Sequence, residues 1–117
     1  IHCPLNDNTR GMIDERAISL MKNTAIVINV ARGAIWDENA VARAVSEGKI
    51  GGIGCDVFTS EPLPEGHAFE RLYGLKNVSL TPHMAWGSYE SRMRCFNTVL
   101  SNIKAYLDGA PTNIVNK

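Results

Sequence analysis

Ala25-Ile26-Val27-Ile28-Asn29-Val30 is the stretch on which the fold turns. It is a continuous β-branched run of the kind found in strands buried on both faces, the habit of parallel sheets. Arg32-Gly33 breaks it. Asp37 then stands as the cap of a helix in which Val41, Ala42, Ala44 and Val45 recur at helical spacing, and Gly48 ends that helix. Ile50 to Val57 is glycine-rich and apolar and reads as a further buried strand ending at Asp56. Strand, helix and strand in direct succession predict parallel pairing through a crossover helix.

Working outward, residues 1 to 3 read as the end of an apolar strand, stopped by Pro4 where a ladder N–H would be lost. Leu5 to Met12 is a polar loop. Asp14 is the N-cap of a short helix with Ala17, Ile18, Leu20 and Met21 on its apolar side, closed by Lys22-Asn23. Downstream, a proline-bearing loop runs from Thr59 to Gly66, a helical turn covers Ala68 to Tyr73, and Val78-Ser79-Leu80 forms a last strand halted by Pro82. Met93, Phe96, Val99, Leu100, Ile103 and Leu107 outline a long amphipathic helix from Ser88 to Leu107, closed by Gly109. The expected class is α/β: half of a doubly wound parallel sheet, with a last helix too long for a crossover and suited to packing across a boundary. The expected division is 1–87 and 88–117.

The chain has 117 residues and a formal net charge of zero, from twelve basic and twelve acidic side chains. That balance argues against a nucleic-acid footprint, and the supply of Val, Ile, Leu and Met argues against disorder. No apolar run approaches the ~18 residues a membrane span requires. The start lacks the layout of a secretory signal. Cys3, Cys55 and Cys95 are odd in number and far apart, which points to a reducing, cytoplasmic setting rather than a disulfide framework. His2 and Cys3, adjacent on a strand, point to opposite faces, so no metal site is expected. The sequence opens at Ile1 inside an apparent strand, as though cut from something longer.

Ligands of such sheets bind beyond the carboxyl ends of the strands. Arg32, Asp56 with Glu61 in the loop beyond it, and His83 all fall at those ends. Each has a plainer reading: Arg32 as a turn or surface ion-pair residue, Asp56 as a turn cap, Glu61 as an exposed loop carboxylate, His83 as a structural histidine. Together they suit reduction of a 2-keto acid. Arginine holds a carboxylate through its planar fork and polarises a carbonyl. A histidine supplies the proton to the oxygen that gains charge as hydride arrives, and a neighbouring carboxylate orients it and favours its charged form.

Asn29-Val30-Ala31-Arg32-Gly33, Gly54-Cys55-Asp56-Val57-Phe58 with Glu61-Pro62, and Leu80-Thr81-Pro82-His83 resemble the D-isomer-specific 2-hydroxyacid dehydrogenases. His2-Cys3-Pro4-Leu5 with Thr9-Arg10-Gly11-Met12-Ile13 resembles that family's strand and loop beside the cofactor. The resemblance runs essentially from end to end. It implies the second half of a Rossmann-type sheet, with the long helix and the tail Pro111 to Val115 returning towards the substrate domain. It implies Arg32 as the substrate-binding arginine, His83 as the acid/base and Glu61 as its partner. It places Cys3, Pro4, Thr9, Val30, Ala31, Arg32, Asp56, His83 and Ala85 at the cofactor, NAD or NADP, with Trp86 either near the nicotinamide or packed in the core. Homodimers through the cofactor domain are usual in the family.

Two departures stand out. The family's Gly-x-Gly-x-x-Gly phosphate loop is not in this sequence, and Gly48 to Gly54 does not replace it because it leads into a strand. The acidic residue that reads the adenosine ribose is missing too. The chain is therefore expected to be a C-terminal piece, inactive alone. Pro82-His83-Met84-Ala85-Trp86 and Asn113-Ile114-Val115-Asn116 resemble the glycerate dehydrogenase or hydroxypyruvate reductase members. Formate dehydrogenases resemble it less, since they carry glutamine where Glu61 stands. NAD-sensing corepressor-like binding proteins of the same fold can share the trio and remain the alternative; the balanced charge tilts towards metabolism.

Overall fold

The computed structural model describes residues 1–116. By compactness it forms one unit of Ile1–Met84 and a second from Ala85 onward. In the first, a three-stranded parallel sheet in the order β1-β2-β3 is built from β1 (Ile26–Asn29), β2 (Gly52–Cys55) and β3 (Val78–Leu80). Helix α1 (Glu15–Ser19) precedes β1, and α2 (Glu38–Ser46) crosses over from β1 to β2. The caps are those expected: the Asp14 carboxylate accepts from the Ala17 N–H, and that of Asp37 from the N–H groups of Asn39 and Ala40. Gly48 takes φ +67 beyond the end of α2, a conformation that favours glycine. Two short 3-10 turns, Gly33–Ile35 and Ala68–Leu72, complete the unit.

The register pairs Val27 with Ile53 and Ile53 with Val78, then Asn29 with Cys55 and Cys55 with Leu80. Because side chains alternate across a strand, these six share one face. Ile18 of α1, Ala40, Val41 and Ala44 of α2, and Phe69 and Leu72 of the second turn cluster on that face. Phe69 is fully buried, edge-on to Trp36 at 5.9 Å, Phe58 at 6.0 Å and His67 at 5.2 Å.

Three expectations need correction. Residues 1–3 adopt no strand; the Ile1 amino group donates to the Ile28 carbonyl at 2.7 Å alongside β1 without building a ladder. Among the described residues only one face of β1 is covered, and Ile26 is 70% and Ile28 53% exposed on the other. The pleat sets them opposite the face that the helices cover. Leu20 is not on the apolar side of α1: it follows the helix and is exposed, because the helix ends at Ser19. Glycine is required at position 52, where a β-carbon would stand 2.3 Å from the Asn77 carbonyl oxygen.

In the second unit, α3 (Tyr89–Leu107) starts at Ser88, whose hydroxyl accepts from the Ser91 N–H at 3.2 Å. None of its residues is buried, and Phe96, Val99, Leu100 and Ile103 are exposed. No helix among the described residues is long and apolar enough to cross a membrane.

Phe69→Ala in the intact protein is expected to cost about 3–5 kcal/mol, against about 1 kcal/mol for Asp37→Ala, because one empties the core and the other removes a single cap. Urea unfolding checks the order; equal losses would remove Phe69 from the centre of the core.

Candidate active site

Parallel pairing brings the carboxyl ends of all three strands to one edge. At the end of β1 stands Asn29, 0% exposed. Its amide N–H donates to the Arg32 carbonyl at 2.9 Å and its Oδ1 accepts from the Ala31 N–H at 3.1 Å. The Asn29 carbonyl also accepts from the Asp56 N–H at 3.0 Å. One buried amide thus clamps the turn that carries Arg32 and ties it to the next strand. The Arg32 guanidinium donates from Nη1 to the Ala31 carbonyl at 2.7 Å. Directly after it, Gly33 leaves no room for a side chain: a β-carbon there would lie 2.1 Å from the Phe58 carbonyl carbon.

At the end of β2, Asp56 is 3% exposed, and its Oδ1 accepts from the Thr81 hydroxyl at 2.5 Å and from the Met84 N–H at 2.9 Å. Asp56 therefore fastens the segment on either side of His83 to the second strand. His83 has φ +52, in the left-handed region, which side-chain-bearing residues enter at a cost of about 1–2 kcal/mol. Its N–H donates to the Thr81 carbonyl at 3.1 Å. Its Nδ1 lies 2.7 Å from Glu61 Oε2, while Glu61 Oε1 accepts from the Phe58 N–H at 2.9 Å. The His83 bond first, and the Phe58 N–H second, hold the Glu61 carboxyl below its ordinary range. The pair is open to solvent, with side chains 41% and 36% exposed, so it adds little to stability.

Cys3, Pro4, Val30, Ala31 and Arg32 line one cleft of about 660 Å³ together with His2 and Leu5. Its lining is mixed, with His2 and Arg32 beside the apolar Pro4, Leu5, Val30 and Ala31. Thr9 acts one step back: its hydroxyl donates to the Pro4 carbonyl at 2.7 Å and accepts from the Asn6 N–H at 2.8 Å, closing the loop that carries Pro4. Ala85 and Trp86 open the second unit, and Trp86 is 62% exposed among the described residues. Burial pushes the Cys55 thiol up to about 12, which makes it inert.

Asn29 and Thr81 were not singled out from sequence. The first had a legible signal, since an amide inside an apolar run must find buried partners. The second had none, because Asp56 and Thr81 meet only through strand pairing.

Residues 1–85 match the family model of the D-isomer specific 2-hydroxyacid dehydrogenase, NAD binding domain. Over 117 residues the chain is 36% identical to a hydroxypyruvate reductase of Blautia hydrogenotrophica, covering 100% of this chain and 35% of that protein. A glyoxylate reductase of Aeropyrum pernix is 43% identical over 118 residues, covering 100% and 34%. The crystal structure of D-lactate dehydrogenase with NAD+ from Lactobacillus jensenii superposes with a TM-score of 0.88 at 28% identity, covering 99% of this chain and 38% of that one. The chain spans about a third of the length of the curated relatives it matches.

Asn29→Ala is expected to cost about 1–3 kcal/mol, since it removes a buried amide and strips the part-buried Ala31 N–H and Arg32 carbonyl of their partner; unfolding in urea measures it, and a loss within experimental error would remove the clamp. A carboxyl lowered by its partners is ionised above its ordinary pKa, and the pair is lost as pH falls through the lowered value. The Phe58 amide resonance, which senses Glu61 protonation, is expected to titrate below the ordinary glutamate value of about 4.3. A midpoint at or above that value would count against the pair.

Proposed function

The chain belongs to the D-isomer specific 2-hydroxyacid dehydrogenases, and on that premise we propose that the intact protein transfers a hydride between NADH or NADPH and a small 2-keto or 2-hydroxy acid. Hydroxypyruvate and glyoxylate are the first keto acids to test, because relatives bear the names hydroxypyruvate reductase and glyoxylate reductase. The observation that carries the reading is the 2.7 Å His83–Glu61 pair at the strand edge that also bears Arg32.

Arg32 binds the substrate carboxylate through its fork and polarises the keto oxygen. With Nδ1–H donating to Glu61, the mobile proton of His83 is held at Nε2 and passes from there to the keto oxygen during reduction; the reverse reaction returns it. Glu61 fixes the ring and offsets its charge while it is protonated. The nicotinamide ring, when bound, supplies the hydride or takes it up. Cys3, Pro4, Val30 and Ala31 would hold the cofactor along that cleft, Thr9 would support Pro4, and Asp56 would stand beside it. A cytoplasmic setting is supported by three free cysteines. A homodimer is supported by the family resemblance alone.

Arg32→Lys is expected to lower kcat/KM for hydroxypyruvate about 100-fold, as lysine lacks the bidentate fork; near-normal kcat/KM would overturn the Arg32 role. Glu61→Gln is expected to lower kcat for hydroxypyruvate about 10- to 100-fold, because His83 loses the carboxylate that orients its ring. Near-normal kcat would overturn the role of Glu61.

A further inference from the structure

Three separate contacts meet around the Phe58–Thr59 peptide. Gly33 packs against its carbonyl side without room for a β-carbon, and the Phe58 N–H, in the peptide just before it, donates to Glu61. On the far side, the Thr59 N–H donates to Glu38 Oε1 at 2.8 Å. Glu38 is the first residue of α2, and its other oxygen, Oε2, lies 3.1 Å from His67 Nε2. His67 Nδ1 accepts from the Phe69 N–H at 3.1 Å, so the ring proton sits on Nε2 and is donated to the carboxylate.

This second histidine–glutamate pair differs from the first in burial. Its side chains are only 12% and 10% exposed, against 41% and 36% for His83 and Glu61. Burying a carboxylate is costly unless its oxygens are hydrogen-bonded, and both oxygens of Glu38 are. What the arrangement achieves is a fixed direction for one backbone N–H, two residues before Glu61. Glu61 itself stands in solvent, where a loop carboxylate has many alternatives to a single histidine nitrogen.

We propose that Glu38, oriented by His67, is a positioning residue for the acid/base pair: it fixes the Phe58–Thr59 peptide, and with it the turn from which Glu61 reaches His83. The proposal rests on the catalytic reading given above. It makes α2, an element outside the site, a determinant of the geometry of proton transfer. Neither residue touches the substrate on this view.

The test uses Glu38→Ala and Glu38→Gln in the intact protein, each in wild-type and Glu61→Gln backgrounds. Glu38→Ala is expected to lower kcat for hydroxypyruvate reduction about 10- to 100-fold with little change in KM, since small misplacements of reacting groups cost this much. In the Glu61→Gln background the same change is expected to cost less than about twofold, because residues acting through one another are not additive. Glu38→Gln, which keeps an acceptor oxygen for the Thr59 N–H, is expected to recover most of the rate. Equal losses in both backgrounds would reduce Glu38 to a structural role and overturn the proposal.

A second readout needs no turnover. Glu61 faces His83 and the nearby Asp56, and the Phe58 amide reports its protonation. Glu38→Ala is expected to raise the midpoint of that amide titration towards the ordinary glutamate value, and Glu38→Gln to return it. An unmoved midpoint overturns the proposal whatever the activity. Should Glu38→Ala not fold, Glu38→Asp keeps the charge, withdraws the carboxylate by one methylene and is read in the same way. Absence of keto-acid reduction by the wild-type protein would overturn the proposed activity and leave the positioning role to be decided by the amide titration.

Discussion

Parallel pairing of Asn29 with Cys55, and of Cys55 with Leu80, sets three chain reversals at one level, and every candidate group depends on that alignment. A shift of one residue in either pairing would send the core side chains to the open face and part Asp56 from Thr81. Glycines in β2 keep the register tight. At Gly52 the neighbouring strand's approach excludes a side chain, so the sheet closes around the backbone rather than around packed side chains.

Above that edge the polar groups form a chain of supports rather than a set of independent sites. Asn29 holds the Arg32 turn, Gly33 lets the Phe58–Thr59 peptide lie against that turn, and Glu61 leans on the Phe58 N–H one peptide earlier to reach His83. Asp56 holds the His83 segment from the other side through Thr81 and Met84. The supports are buried while the two groups they serve, Glu61 and His83, are partly in solvent. Burial gives the supports their rigidity, and exposure leaves the acid/base pair able to exchange protons.

Much of the fold was legible because its signals are local. The caps Asp14 and Asp37, the terminator Gly48 and the β-branched run of β1 each act within a few residues of themselves. The strand ends were legible too, so Arg32, Asp56, Glu61 and His83 could be nominated from order alone. Which face of β1 is covered was less legible. A β-branched run reports strand character, yet which of its faces is covered depends on elements distant in sequence, and α1, α2 and the turn at Phe69 all chose one side.

The amino-acid sequence by itself determined the element types, the parallel class and the set of residues brought to the carboxyl edge, because propensity, capping and strand order are properties of short segments. Only the tertiary structure decided which nitrogen of His83 faces Glu61, that Thr81 anchors Asp56, and that Glu38 and His67 grip the peptide beneath Glu61. Those contacts join residues 21 to 29 positions apart. Side chains so far apart in sequence meet only once the sheet has folded, so the hydrogen bonds that select among the many polar residues of the chain arise from packing and leave no periodic trace.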